Sequence, residues 1–342
     1  MTVTVLDSAQ KSQQAWDGLR PMDPARDLGI VTDLIGEAFA DELDARGQAA
    51  LREMRRMARM WPFIWWWAQA DPTFSEACYG FVWEEPGPDG KKSQVVGNVS
   101  LNRAPGNRQI WIICNVAVQE QFRGRGIGRC LTEAAIEEAQ ELGATGAVLQ
   151  VYRNNLRAFR LYSDLGFRET SAETNLRLDQ CSTVAVLDAA GYGFRPWKAN
   201  DGQAAYELAC LVTPKSQQWL RPLKARAYEA GLWARIEGWF ADLLNTQRTY
   251  RLVALRQNRL VAILTVTAAF RRGEHVLSLL VHPDHAGQVE AALVSRALHM
   301  LAAAPPKPVR ATVITEHSSI LRTLANYGFQ EQGTLLTLSK HF

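Results

Sequence analysis

The sequence lacks several features that would assign a function at once. Its five cysteines form no C-x-x-C pair, and all six histidines lie after residue 270. The first half of the chain therefore cannot build a Ser-His-Asp or Cys-His arrangement, or a set of histidine metal ligands, without help from the second half. Scattered cysteines of odd number are typical of reduced thiols rather than of a disulfide or zinc framework.

The sequence also lacks the signatures of several other classes of protein. No Gly-Lys-Ser or Gly-Lys-Thr occurs, which excludes a Walker phosphate loop. No uncharged stretch reaches the roughly 18 residues of a membrane span, and the N-terminus shows no signal-peptide pattern. A net charge of +3 over 342 residues does not favour nucleic acid as a partner. We expect a cytoplasmic protein without stable membrane insertion. Either a monomer or a homo-oligomer is compatible with the sequence.

The order of elements points to an internal duplication of a whole domain. Gly193-Phe-Arg-Pro196 repeats the pattern of Gly18-Leu-Arg-Pro21, and Tyr327-Gly-Phe329 repeats Leu165-Gly-Phe167. We predict a first domain over residues 1–180, a connector over 181–191 and a second domain over 192–342. The fold class is α/β (α+β mixed sheet), with each domain a central mixed β-sheet flanked by helices.

Residues 115–167 contain the stretch with the clearest chemistry. A strand ending at Val118 leads into a loop with glycines at 124, 126 and 128, and apolar spacing from Ile127 to Leu142 predicts a helix after it. Such a loop offers backbone N–H groups and the helix dipole to a phosphate. A dinucleotide fingerprint would need G-x-G-x-x-G with an acid about 20 residues on, and the spacing here is G-x-G-x-G.

The pattern R-x-x-G-x-G at Arg123, Gly126 and Gly128 resembles the GNAT superfamily of acyl-CoA-dependent N-acyltransferases. Further matching positions are Ala117-Val118, Asn155, Ala158, Leu161-Tyr162 and Gly166-Phe167. The resemblance implies acetyl-CoA as co-substrate and no metal, and Tyr162 resembles the family tyrosine that protonates the departing thiolate. The CoA-binding positions it implies are Val116, Ala117, Val118, Arg123, Gly124, Arg125, Gly126, Ile127, Gly128 and Asn155.

Two of these residues have a structural alternative. Asn155 could be only the N-cap of the helix that follows it. Tyr162 could be a core aromatic, although Ala158, Leu161 and Leu165 are predicted to define the buried stripe and to leave Tyr162 off it.

The general base and the acceptor pocket are less well defined. The strand before the loop offers Cys114 and Asn115 but no carboxylate, so we expect proton removal through an ordered water or by Glu84 or Glu85. The simpler interpretation of these glutamates is a charged strand end at a turn. The run MWPFIWWW at residues 60–67 packs in the core or lines a pocket, which gives Trp61, Trp65 and Glu84 as pocket candidates.

The second copy has lost the CoA features. Its loop, at residues 282–288, has one glycine and no arginine, and His317 and Leu324 stand at the positions of Asn155 and Tyr162. His282-x-x-His285 with Asp284 is too thin a set for a metal site. We therefore expect an N-acetyltransferase that is active only in the first domain, with a small-molecule amine as acceptor. The alternatives are a protein N-terminus or lysine as acceptor, or a non-catalytic acyl-CoA-binding module.

Overall fold

A computed structural model describes residues 18–40, 51–56, 58, 79–87, 93–228, 247–271 and 273–342. The chain divides into two compact units, one formed by Met1–Leu149 with Lys340–Phe342 and the other by Gln150–Ser339. Trp61 and Trp65 lie outside the described residues.

The first unit is an α/β arrangement with a mixed sheet. The strands follow the order β1-β2-β3-β4-β5, antiparallel except for the parallel pair β4 and β5. They are β1 (Leu19–Pro21), β2 (Gly80–Pro86), β3 (Ser93–Ala104), β4 (Asn107–Val118) and β5 (Gly146–Tyr152), with helices α1 (Pro24–Ala38) and α2 (Ile127–Glu141). β4 therefore lies between β3 and β5, a position that suits its largely apolar sequence.

Helix α1 begins where its sequence predicts. The Asp23 side chain accepts a hydrogen bond from the Ala25 N–H at 2.9 Å, and Pro24 occupies the first turn. Val31 and Ile35 form a buried cluster with Val82 and others. The apolar residues of α1 recur at helical spacing and form its buried face.

Helix α2 packs closely on the sheet because β3 carries a glycine below it. A Cβ at Gly97 would lie 3.1 Å from a Leu131 methyl group and 3.2 Å from one of Ile127. The helix buries these two residues together with Ala134 and Ala135, as predicted from their spacing. Gly97 thereby fixes the start of α2 near the end of β4.

The second unit repeats the same order of elements along residues 193–341. Its strand order is β12-β6-β11-β10-β9-β8-β7, and the β10–β11 pair is parallel. The strands are β6 (Arg168–Leu178), β7 (Gly193–Pro196), β8 (Gln247–Arg256), β9 (Arg259–Ala269), β10 (His275–Val281), β11 (Val309–Ile314) and β12 (Gln330–His341). The helices are α3 (Leu156–Asp164), α4 (Gly202–Val212), α5 (Lys215–Leu220), α6 (Glu290–Ala302) and α7 (Ser318–Asn326).

An ion pair between a buried aspartate and a partly exposed arginine occurs in both copies. Arg20 donates two hydrogen bonds to Asp27 at 2.6 and 2.7 Å, and Arg195 donates two to Asp201, both at 2.7 Å. Each pair joins the first strand of its copy to the start of the following helix, a bidentate geometry that arginine alone provides.

Strand β6 departs from the expectation that each copy has its own sheet. Although β6 belongs to residues 1–180, it pairs antiparallel with β11 and β12 inside the second unit. Hydroxyl groups also join these strands, since Thr174 Oγ1 lies 3.0 Å from Thr315 Oγ1 and 3.1 Å from Thr334 Oγ1. Conversely, Lys340–Phe342, the end of the second copy, belongs to the first unit, where the Phe342 N–H donates to Thr145 O at 3.1 Å. We call this arrangement the strand exchange.

None of the helices in the described ranges is both long enough and apolar enough to cross a bilayer.

Candidate functional site

The glycine loop of the first unit opens helix α2 without a side-chain cap. Gly124 and Gly126 have φ angles of 87° and 84°, in the left-handed region, and Gly126 is the N-cap residue. Glycine takes this conformation at little cost, whereas a side chain there is strained. The loop can therefore turn sharply and present its backbone rather than side chains.

The N–H groups of this loop are available to a ligand. Within the described part of the chain, no hydrogen bond uses the backbone N–H of any residue from Gly124 to Gly128. These donors converge at the positive end of a 15-residue helix. The arrangement fits an anion with several acceptor oxygens, such as a pyrophosphate.

Two arginines flank the loop and are held by other groups. Arg123 Nε donates to Val118 O at 3.0 Å, which ties the loop to the end of β4. Arg125 Nη2 lies 3.0 Å from Glu85 Oε1, and its guanidinium group is 5.5 Å from the Phe122 ring centre. Both side chains are exposed enough to turn toward a phosphate, and the Arg125 ion pair is the contact that such a ligand would compete with.

Strand β4 is bulged just before the loop, which the sequence analysis missed. Asn115 has a φ of 53°, and the pairing with β3 shifts by one residue between Cys114 and Ala117. The Asn98 side chain holds the bulge, since its Nδ2 donates to Asn115 O at 2.8 Å. Asparagine tolerates the left-handed conformation, so the Asn115 residue type was the available signal.

Only the first half of β4 pairs with β5, and the edge of its second half that faces β5 has no strand partner in that pairing. Pairing with β5 runs from Ile110 to Ile112, where Ile112 lies opposite Val148. Val116, Ala117 and Val118 follow this point, so the two strands separate where the resemblance places the pantetheine arm. An extended ligand could add to this edge in the way that a further strand does.

A row of polar side chains lies on β3 behind the bulge. Asn98, Ser100 and Asn102 alternate with apolar residues along the second half of this strand, a period of two that places them on one face. Asn98 is fully buried, and its Oδ1 has no hydrogen-bond partner among the described residues. A buried acceptor without a partner is costly, and a water or a ligand N–H would satisfy it.

The two glutamates considered as bases are held in ion pairs. Glu84 accepts hydrogen bonds from Arg20 at 2.7 Å and from Ser93 at 3.1 Å, and it also pairs with Arg26. The hydrogen bond from Arg20 holds the pKa of Glu84 below its usual range. Glu85 contacts Arg125 and accepts from Trp83 Nε1 at 3.1 Å. The structure thus favours the simpler interpretation, a charged strand end.

Cys114 does not have the character of a nucleophile. Burial raises the pKa of its thiol to about 11, so the thiol is neutral near pH 7. Asn102 Nδ2 lies 3.3 Å from its sulfur.

The second unit contains Asn155 and Tyr162 on helix α3. Asn155 is the N-cap, because its side chain accepts from the Ala158 N–H at 3.2 Å. Tyr162 is 7% exposed and is the buried residue of this helix, with its ring edge-on to Phe167 at a centroid distance of 6.2 Å. The expectation that Tyr162 lies off the buried stripe is therefore wrong, because Ala158, Leu161 and Leu165 are only half-buried.

In the second copy, a carboxylate of the chain itself binds the N–H groups at the corresponding helix start, which the sequence analysis also missed. Glu290, at the position of Ile127, is 1% exposed and accepts from the N–H groups of Gly287 at 2.8 Å and Val289 at 3.1 Å. Val289, at the position of Gly126, has a φ of −118°. An internal anion thus occupies the donors that an external phosphate would need.

The described residues contain no cluster of three or more His, Cys, Asp or Glu side chains arranged for a metal ion.

The fold and the glycine loop define an α/β protein with a candidate anion site at a helix start beside a separated pair of strands. Residues 40–167 match the model of the acetyltransferase (GNAT) family. This part of the chain is similar to that family, whose members use acetyl-CoA as co-substrate.

Curated relatives match over limited stretches. The ribosomal protein bS18-alanine N-acetyltransferase of Salmonella typhimurium is 39% identical over 61 residues, which cover 18% of this chain and 41% of that protein. The mycothiol acetyltransferase of Thermobispora bispora is 28% identical over 163 residues, covering 46% of this chain and 49% of that protein. The chain therefore spans less than half the length of these relatives.

Solved structures resemble this chain over nearly its whole length. A GCN5-related N-acetyltransferase from Sphaerobacter thermophilus matches with a TM-score of 0.59 and 17% identity over 94% of this chain and 95% of that one. A tandem GNAT protein from the clavulanic acid biosynthesis pathway matches with a TM-score of 0.50 and 18% identity over 94% and 98%. At these identities the likeness concerns the fold alone.

Proposed function

We propose that the protein is an acetyl-CoA-dependent N-acetyltransferase whose co-substrate binds along residues 115–128. The observation that carries the proposal is the uncapped start of α2, where the N–H groups from Gly124 to Gly128 have no acceptor within the described residues. A pyrophosphate offers oxygens to several of these donors at once, and Arg123 and Arg125 add positive charge beside them.

The separated edge of β4 would hold the pantetheine arm. Backbone groups of Val116 to Val118 lie on an edge that β5 leaves free, and the bulge at Asn115 turns that edge away from a regular ladder. N–H groups fixed in this way would also polarise the thioester carbonyl as negative charge develops on its oxygen.

We infer direct attack of the amine on the thioester. The amine nitrogen forms a bond to the acyl carbon, the carbon–sulfur bond breaks, and the departing thiolate takes a proton from the Tyr162 hydroxyl group. The surplus proton of the amine leaves through water, because Glu84 and Glu85 are engaged by arginines. The neutral Cys114 thiol argues against an acetyl-cysteine intermediate.

Asn98 would position the water that takes this proton. Its Nδ2 is committed to the Asn115 carbonyl, which leaves the buried Oδ1 as an acceptor beside the bulge. A water bound there would be oriented with one proton donated to Oδ1 and a lone pair directed elsewhere.

The acceptor we favour is a small-molecule amine. The similarity to mycothiol acetyltransferase supports this choice, since it spans 163 residues. The similarity to the bS18-alanine enzyme favours a protein N-terminus as second candidate, although it spans only 61 residues.

The test is CoA release by the full chain with a panel of amines. The panel should contain amino sugars, aminoacyl amides, polyamines and peptides with a free N-terminal alanine, and each product should be identified by mass. We expect turnover with at least one small amine and none in the absence of an amine. If acetyl-CoA binds but no amine or peptide is acetylated, the protein is a binding module. Acetylation of the peptides alone would replace the small-molecule acceptor.

A further inference from the structure

The second unit contains a cavity of about 210 Å³ that the proposed acetyltransferase site does not use. It lies on the face of strands β8, β9 and β10 against which helix α4 packs, where Ala205, Leu208 and Val212 of the helix meet Ile263. The described residues that line it all belong to the second copy.

Three polar side chains form a row across the floor of this cavity. Arg251 lies directly opposite Thr265 on the neighbouring strand, and Thr265 lies directly opposite Ser278 on the next. Side chains at registered positions point to the same face, and adjacent strands are about 4.8 Å apart. A guanidinium group and two hydroxyl groups therefore lie side by side over roughly 10 Å.

Arg251 has no acidic partner in the ranges that the structure describes. Its guanidinium group instead lies 5.4 Å from the centre of the Trp197 ring. Other arginines of the chain, such as Arg195 and Arg177, are paired with carboxylates at 2.6 to 2.7 Å. A guanidinium group that lines a cavity and has no carboxylate partner among the described residues is a ready site for an anion.

The walls of the cavity are aromatic and aliphatic. Trp197 and Tyr228 contribute aromatic rings to the lining, and Ile263 and Leu280 form the apolar part of the floor, in the row next to the polar one. Burial raises the pKa of Tyr228, so its hydroxyl group stays protonated and can donate a hydrogen bond.

The first copy has no such row. At the positions registered with Arg251, Thr265 and Ser278, it carries Gly80, Ser100 and Cys114. The guanidinium group is therefore particular to the copy that has lost the CoA features.

We propose that this cavity binds a small carboxylic acid with an aromatic or branched apolar body. The carboxylate would pair with Arg251 and accept from Thr265 and Ser278, while the body packs between Trp197, Tyr228 and Leu280. A single planar guanidinium group matches the two oxygens of a carboxylate. The volume lies below that of pockets for drug-sized molecules, so the ligand is of metabolite size.

The experiment is calorimetric titration of the full chain with benzoate and phenylacetate, beside their neutral amides. We expect saturable binding of at least one acid and none of the amides. Arg251→Met should weaken that binding about tenfold or more. Arg248→Met is the matched control, because Arg248 lies on the opposite face of β8 over Tyr250, and it should bind as the wild type does.

Thr265→Val provides a second variant that keeps the shape of the side chain and the guanidinium group, and it should weaken binding severalfold. Three results would each overturn the proposal: neither acid binds, the amides bind as well as the acids, or Arg251→Met binds unchanged. The proposal stands apart from the acetyltransferase activity, because thermal unfolding of Arg251→Met shows independently of acetyl-CoA whether the variant is folded.

Discussion

Asn98 and Asn115 show how two amide side chains shape the strand in front of the glycine loop. Asn115 accepts a left-handed φ of 53°, which most residues avoid, and Asn98 fixes its carbonyl at 2.8 Å. Their residue types were visible in the sequence, but the hydrogen bond between them depends on the register of two strands. Pattern alone therefore predicted the strand and not the bulge.

Replacing Tyr162 separates its proposed role as acid from a role in packing. Tyr162→Phe keeps the ring that packs edge-on against Phe167, so the fold should survive. Loss of the hydroxyl group should lower kcat about 10²-fold or more, with the KM for acetyl-CoA nearly unchanged. Steady-state kinetics on the best amine from the panel measures both constants.

The matched control is Tyr327→Phe, whose hydroxyl group donates to Ala291 O in the second copy. It should leave kcat unchanged. A Tyr162→Phe enzyme with wild-type kcat would assign Tyr162 to the core alone.

Glu84 should affect stability rather than catalysis. Because Arg20 holds its folded pKa below the unfolded value, its contribution is present above the unfolded pKa and is lost as pH falls through the folded pKa. Glu84→Gln should therefore lower Tm at pH 7, and the difference from wild type should shrink in acid. Thermal unfolding across a pH series measures this.

The pH–rate profile provides the catalytic half of the Glu84 test. We expect the pH–rate profile of Glu84→Gln to keep the limb that the wild type shows near neutral pH. The control is Glu133→Gln, which removes an exposed ion pair with Arg129 and should give the same profile. A limb lost only in the Glu84 variant would make Glu84 the base after all.

At the scale of elements, apolar spacing was a good guide to α1, α2 and β4, because each buries one face or both. It failed for helix α3, where Tyr162 rather than the predicted stripe is buried. That helix is only 9 residues long, and so short a segment gives only weak evidence of which face is buried. Glu290 was missed because its role appears only when the side chain folds back onto the N–H groups of its own helix start.

The role of Glu290 at the start of α6 can be tested by substitution. Glu290→Ile installs the residue of the first copy and leaves the N–H groups of Gly287 and Val289 without their acceptor. We expect a loss of about 1–3 kcal/mol in the free energy of unfolding. Chemical denaturation measures the loss. Glu290→Gln keeps one acceptor oxygen, so its free energy of unfolding should lie between those of the wild type and Glu290→Ile.

Glu290→Ile should not create a second CoA site. The loop would still lack the arginines and the left-handed N-cap glycine of the first copy. Gain of a second acetyl-CoA site in this single variant would show that the carboxylate alone blocks binding.

At the scale of the whole molecule, the strand exchange means that the sequence copies are not the compact units. β6 pairs with β11 and β12, and Lys340–Phe342 belongs to the unit of residues 1–149. Repeat matching compares segments along the chain and contains no information on which strand pairs with which. The duplication could therefore be inferred from sequence, whereas the exchange could not.

A chain that ends at residue 180 should not fold alone. It leaves β6 without both of its neighbours and removes the residue that donates to Thr145 O. Circular dichroism and denaturation should show no cooperative transition for residues 1–180, while co-expression with residues 192–342 restores one. Cooperative unfolding of a monomeric 1–180 chain would show that the exchange is not required.

The most direct test of the central claim is calorimetric titration of the full chain with acetyl-CoA, in wild type, Gly126→Ala and Gly287→Ala. Both glycines have a left-handed φ, 84° and 81°, and open space at the position of a Cβ. Each substitution should cost a similar 1–2 kcal/mol, roughly, in the free energy of unfolding. We predict one acetyl-CoA per chain, lost or strongly weakened in Gly126→Ala and retained in Gly287→Ala. Binding that survives in Gly126→Ala, or that is lost in Gly287→Ala, would contradict the account.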